Sequence, residues 1–194
     1  MRHPGFYTAL FFTLIMPVVF LLNACAQTSS AMHGQEADRI AMPVFMYDRT
    51  ISTDQLDLHA RERVRDESKS VHVYIGGAGT AGLATASEPN TDDPMPDDPV
   101  ALRMAAQDSH PNVIYLARPC QYTRTQAQKG CVLNYLGGGS FTKPVIRTYM
   151  QALDNIKARH NADEFDLVGY SGGGGIATIL AAKRYDVFSL RTVA

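Results

Sequence analysis

The chain has 194 residues, with 18 Lys plus Arg against 19 Asp plus Glu and a formal net charge of −1. That balance, without any basic patch interleaved with aromatics, argues against nucleic acid or an acidic surface as partner. The length suits one hydrophobic core rather than two domains, and a hydrophobic content of 45% is enough to fill it.

The chain opens with a basic residue, Arg2, and an apolar stretch from Ala9 to Leu22 whose polar member is Thr13. The stretch is short for a membrane span and suits the hydrophobic core of a secretory signal over residues 1–24. It ends in Leu22-Asn23-Ala24-Cys25, which resembles the lipobox of bacterial lipoproteins. The resemblance implies cleavage before Cys25, a lipid on its thiol, and a site in the bacterial cell envelope, membrane-anchored and facing the periplasm. The alternative is an ordinary signal cut near Ala24 or Ala26. Residues 25–42 then read as a polar tether, because Ala26 to Ile40 shows neither a helical nor a strand period. A single domain is expected over 43–194.

Within that domain, "MPVFMYDRT" and "QLDLHARERV" are expected to pair antiparallel at a sheet edge. Val71, Val73, Tyr74 and Ile75 form a strand that runs straight into the glycines of "YIGGAG", Tyr74 to Gly79. Thr85 to Pro99 is a loop, rich in proline and aspartate. Asp98 and Pro99 then supply an N-cap and a first-turn proline for a helix through "VALRMAAQ". Val113 to Ala117 is a continuous apolar run, as expected of a strand buried on both faces. Thr142 and Pro144 open a helix with Val145, Tyr149, Leu153 and Ile156 at helical spacing and with Lys157, Arg159 and His160 in its last turn. Strand "FDLVGY", helix "GIATILAAKR" and strand "VFSLRTVA" follow. This alternation predicts an α/β fold, a mostly parallel sheet with crossover helices, with ligands beyond the carboxyl ends of the strands.

With Cys25 set aside, Cys120 and Cys131 remain. In an oxidising compartment they are expected to pair, closing a small polar loop for about 3 kcal/mol; two free buried thiols are the alternative. No metal site is expected. The aspartates Asp92, Asp93, Asp97 and Asp98 lack the glycine and terminal glutamate of a calcium loop, while His72 and His160 have structural explanations on a strand and at a helix end.

Gly169-Tyr170-Ser171-Gly172-Gly173 fits G-x-S-x-G between a strand and a helix. A serine on so sharp a turn needs an unusual backbone angle and neighbours without side chains, and the helix amino end beneath it adds positive potential. That makes Ser171 a candidate nucleophile, with the Gly172 amide aimed at a developing oxyanion. Helix capping by Ser171 is the plain alternative. A phosphate loop is excluded because Ile176 follows Gly175 where Lys would be needed. The glycine loop after the earlier strand is placed to give a second amide, from Gly76 or Gly77. Gly77 to Gly82 also fits G-x-G-x-x-G, but Pro89, Pro94 and Pro96 follow where a dinucleotide fingerprint needs a helix. No cofactor is expected.

With "HVYIGGAG", "DDPVALRMAA", "NVIYLARPCQY", "FDLVGYSGGGGIA" and "SLRTVA" in that order, the chain resembles the α/β-hydrolase superfamily, and among its members bacterial lipoprotein-type hydrolases. The resemblance covers roughly Val71 to Ala194. It implies ester or amide hydrolysis through an acyl-enzyme on Ser171, with Arg118 to Tyr122 bordering the site and a small-molecule or acyl substrate as partner. In that superfamily an acid and then a histidine follow the serine. Here Asp186 is the one acid after Ser171, it precedes its strand rather than following one, and no histidine follows. The expectation is therefore the N-terminal part of the fold, incomplete at the C-terminus. Such a chain would be inactive or slowed by about 10⁶ without its histidine, and a non-catalytic lipoprotein that uses the scaffold for binding or envelope structure is the competing expectation. A base drawn from upstream, His72 or His110, would have to come within hydrogen-bond reach of Ser171.

Overall fold

The runs that read as buried strands stand at the centre of a six-stranded sheet in the computed structural model, which describes residues 32–66, 70–79, 95–122, 131, 135 and 139–194. The signal segment, Cys25, Asp92, Asp93, Gly82 and most of the cysteine loop lie outside the described residues. The strands are β1 (Tyr47–Ser52), β2 (Asp57–Arg63), β3 (Val71–Ile75), β4 (Val113–Leu116), β5 (Phe165–Tyr170) and β6 (Val187–Val193). Their order is β1-β2-β4-β3-β5-β6. β1 and β2 pair antiparallel at one edge, β2 meets β4 antiparallel, and β3, β4, β5 and β6 run parallel. The expected α/β architecture and edge hairpin are both present.

Helices cover both faces, which is why the central strands are apolar without alternation. α3 (Lys143–His160) and α4 (Gly172–Lys183) pack on one face against Val71, Val73, Ile75, Ile114, Leu116, Phe165 and Leu167. On the other face α2 (Val100–Gln107), with Ala101, Leu102 and Ala105, packs against Tyr74, Val113, Tyr115 and Val168. Successive strand residues thus serve opposite layers, as the period of two requires. α3 buries Val145, Tyr149, Leu153 and Ile156, the positions its spacing predicts.

Two expectations need correction. Residues 32–41 form a helix, α1, so the tether reading fails over that part of 25–42. Its periodicity is carried by small residues, Ala37 and Ala41, both fully buried beside Met46. Asp98 does not cap α2: Pro99 occupies the N-cap position, and no side chain makes a capping bond. The Asp98 carboxylate instead accepts from Arg103 Nε at 2.7 Å, while Asp97 meets His33 at 3.2 Å.

Candidate active site

Between the end of β5 at Tyr170 and the start of α4 at Gly172, Ser171 makes the whole turn. It does so at φ 51° and ψ −123°, a conformation rare for residues with a side chain and costing on the order of 1–3 kcal/mol. Its amide donates to Val193 O at 2.7 Å and its carbonyl accepts from Gly174 N at 2.9 Å, which fixes the turn from both sides. The side chain is exposed and makes no capping bond to α4. Helix capping is therefore not what this serine does.

The flanking glycines are required by close approach. A Cβ on Gly169 would stand 2.5 Å from Gly173 O and Gly174 Cα, and one on Gly173 would run into Ile75 O and reach Gly76 O at 2.6 Å. These obstacles are backbone atoms, which cannot swing aside. Strand and helix therefore cross in contact, and the hydroxyl is left at the carboxyl end of the sheet.

The amides beside Ser171 divide unevenly. Gly172 begins α4, where the first amides have no intrahelical acceptor and the helix dipole adds positive potential. Gly77 adjoins the serine: a Cβ there would lie 3.4 Å from Ser171 Cβ and 3.1 Å from Tyr170 Cδ1. Its carbonyl accepts from Gln121 Nε2 at 3.3 Å, and its amide has no acceptor among the described residues. Gly76 is different, because its amide donates to Leu116 O at 2.9 Å. That bond extends the β3–β4 ladder by one residue and removes Gly76 from the expected donor pair.

The turn after β4 closes the site from beside the glycine loop. Arg118 N donates to Gln121 Oε1 at 3.0 Å, so Gln121 bridges this turn to Gly77. Cys120 and Tyr122 hold positive φ, 71° and 57°. Cys120 is joined to Cys131 with Cα atoms 5.3 Å apart, inside the span a disulfide needs. Arg118 itself is fully buried, the largest such side chain among the described residues. Its Nη2 donates to Tyr135 O at 3.2 Å, whereas Nε and Nη1 have no hydrogen-bond acceptor among the described residues. Nη1 points to the elbow: it is the described atom that a Cβ on Gly172 would meet, at 2.8 Å. Burial lowers the Arg118 pKa from its ordinary value, with Tyr149 and Tyr115 opposing the shift. Burial also pushes the Tyr149 phenol up to about 12, against the pull of the adjacent Arg118 guanidinium, so Tyr149 is a neutral neighbour, and no carboxylate among the described residues balances the charge.

None of the described histidines hydrogen-bonds Ser171. His72 pairs in register with Asp166 at the start of β5, roughly 16 Å from the turn at about 3.3 Å per residue, and His110 stacks on it at 3.9 Å. His59 stands 2.9 Å from Asp48 and His160 3.5 Å from Glu62. Asp186 is held by Arg184 at 2.7 Å and Lys157 at 3.0 Å. The Arg184 hydrogen bonds, against burial and with Lys157 helping, bring its carboxyl down to about 2. A cleft of roughly 250 Å³ lined by Phe45, Arg49, Glu62, Arg63 and His160 lies at the opposite end of the sheet from Ser171. Two features went unread in the sequence. The unpaired state of Arg118 had one signal, an arginine continuing the apolar run Val113 to Ala117. The cluster of His72, Tyr74, Asp108 and His110 had none, since its two halves are far apart along the chain.

The chain matches no protein-family model and no curated protein. Among solved structures it is similar to a membrane phospholipase A described as a bacterial virulence factor, at 16% identity and a TM-score of 0.48, covering 96% of this chain and 50% of that one. It is also similar to the Pyrococcus furiosus esterase Pf2001, at 10% identity and a TM-score of 0.44, covering 75% of this chain and 50% of the esterase. A third likeness is to a proline iminopeptidase-related protein from Thermus thermophilus, at 13% identity and a TM-score of 0.42, covering 73% and 42% of the two chains. The chain thus spans half or less of the length of each.

Proposed function

We propose that this chain carries the nucleophile of a serine hydrolase of the α/β-hydrolase superfamily, which cleaves an ester or amide through an acyl-enzyme on Ser171. The observation that carries this reading is the Ser171 backbone, at φ 51° and ψ −123°, with an exposed hydroxyl between Gly77 and the amino end of α4. A serine that served only structure would have no reason to hold a strained turn among glycines that forbid side chains.

In the proposed reaction the Ser171 hydroxyl gives its proton to a base while its oxygen bonds the substrate's carbonyl carbon. The carbonyl oxygen takes the negative charge and faces the amides of Gly172 and Gly77, which donate to it. The bond to the leaving group then breaks, that group takes the proton, and water repeats the sequence to release the acid and restore Ser171. The resemblance implies a histidine as the base, oriented by an acid. With no described histidine at hydrogen-bond reach of Ser171, the 194-residue chain alone reacts slowly, by up to about 10⁶ relative to a complete triad. The same reading includes lipid attachment at Cys25 and a place in the bacterial cell envelope. The lipid on Cys25 is the proposed anchor; among the described residues no helix is long and apolar enough to cross a membrane.

A fluorophosphonate probe applied to the full-length gene product tests this. Labelling of the wild type and none of Ser171→Ala is expected. Equal labelling of both removes Ser171 as nucleophile, and an unlabelled but folded wild type favours the binding-scaffold reading instead.

A further inference from the structure

Arg118 poses a physical problem that the hydrolase reading leaves unanswered. A buried guanidinium without a carboxylate partner is among the costliest arrangements in a protein interior. Here no acid lies within ion-pair distance of Arg118 among the described residues, and two of its nitrogens, Nε and Nη1, have no acceptor. If Arg118 served only to hold Tyr135 O, one neutral donor would do. Arginine's five donors and fixed charge are suited to an oxyanion instead.

The position of Nη1 shows which part of the fold the charge serves. Nη1 lies 2.8 Å from the point a Cβ on Gly172 would occupy, so the guanidinium packs against the first residue of α4 in the space a side chain would otherwise fill. Gly172 is itself partly exposed, and it is the first residue of a twelve-residue helix whose amino end carries positive potential. An oxyanion held by the amino end of α4 therefore lies beside a guanidinium whose charge no carboxylate balances among the described residues.

We propose that Arg118 and the amino end of α4 form an anion-binding subsite beside Ser171, which selects ligands carrying a carboxylate or phosphate group next to the bond that Ser171 attacks. The substrate preference rests on the hydrolase reading. The anion binding does not, because Ser171 contributes no charge to it.

The test separates the two. The full chain, and its Ser171→Ala variant, are titrated with inorganic phosphate and with acetate at low ionic strength, with chloride as control, while amide resonances are followed by NMR. Saturable binding by both proteins, with the Gly172 and Gly77 amides shifting, is expected; phosphate or acetate being the tighter tells which group the subsite takes. Arg118→Met should weaken the binding at least tenfold and Arg118→Lys by less. Absence of saturable binding to the wild type, an equal response to chloride, binding that leaves the Gly172 amide unmoved, or unchanged affinity in a folded Arg118→Met overturns the proposal. Should Arg118→Met not fold, the wild-type shifts decide. Turnover by the full-length gene product is then compared between 4-nitrophenyl acetate and an ester bearing a free carboxylate: a preference of tenfold or more for the charged ester, lost in Arg118→Lys or →Met, is expected. Turnover of the neutral ester alone refutes the substrate preference. No turnover of either, with anion binding intact, counts against the hydrolase and not against the subsite.

Discussion

The two ends of the sheet use polar groups in opposite ways. At the amino end, His72 Nδ1 and the Tyr74 hydroxyl both meet Asp108 Oδ2, at 2.6 and 2.8 Å, and the His110 amide donates to Asp108 Oδ1 at 2.8 Å. The His110 ring stacks on His72, and Arg63 donates to the backbone carbonyls of Asp108 and His110. At the carboxyl end, Ser171 has an exposed hydroxyl without a capping bond, and among the described residues the Gly77 amide has no acceptor and two nitrogens of Arg118 have no partner. A histidine, an aspartate and a tyrosine within hydrogen-bond reach have the look of catalytic machinery, yet His72 and Tyr74 already meet Asp108, and Arg63 Nε, which has no partner among the described residues, is buried. Chemistry needs free donors beside a reactive group, and at the other end the Gly172 and Gly77 amides flank an exposed hydroxyl.

If close packing is what creates the carboxyl-end site, the largest effect should come from a methyl group placed in it. Gly173→Ala would drive a side chain into Ile75 O and Gly76 O, and we expect a loss of at least about 3 kcal/mol, read as a shift of the urea midpoint. An unchanged midpoint would break the packing account. The disulfide comes next. Replacing Cys120 and Cys131 together by alanine should cost about 3 kcal/mol, because the loop closure is lost from the unfolded chain. It should also slow probe labelling at Ser171, since the turn from Arg118 to Tyr122 holds Gly77 through Gln121.

What the sequence made legible follows the same division. Strands β3, β4 and β5 were readable because burial on both faces leaves continuous apolar runs, and the elbow because its glycines are demanded by backbone contact. The edge hairpin was readable from the polarity of its strands. Helix 32–41 was not, since Ala37 and Ala41 carry too little hydrophobic contrast against their polar neighbours to mark a face. Gly76 and Gly77 are chemically alike in sequence, and only the ladder bond from Gly76 to Leu116 O separates them. Asp98 looked like a cap because proline followed, and Arg103, one turn on, took its carboxylate instead. Such outcomes depend on which of several nearby partners a short polar side chain finds, and periodicity carries no record of that.

The amino end makes a pH-dependent prediction. Burial would raise the Asp108 pKa, but the hydrogen bonds from the His110 amide, His72 and Tyr74 outweigh it and hold the carboxyl below its usual range. Tyr74, pushed up by burial and by Asp108, remains a neutral donor throughout. A depressed carboxyl stabilises the fold above its unfolded value near 4, and that contribution fades as pH falls through the folded value. Asp108→Asn should therefore cost about 2 kcal/mol at pH 7 and progressively less below pH 4, measured by urea denaturation across that range. A difference that stays constant with pH would mean that the cluster is held by packing alone.

The smallest effect has the opposite sign and bears on the carboxyl end. Ser171 holds φ 51° against the preference of any residue with a Cβ, whereas glycine adopts that angle without strain. Ser171→Gly should relieve part of that strain, offset by the greater freedom of glycine in the unfolded chain, for a net gain of about 1 kcal/mol. Probe labelling should vanish in the same variant. Asp108→Asn lowers stability without touching the serine, so the two variants move stability and labelling in opposite combinations. A Ser171→Gly chain less stable than wild type would mean that the hydroxyl stabilises the fold, and the claim that this turn is kept strained for its chemistry would fail.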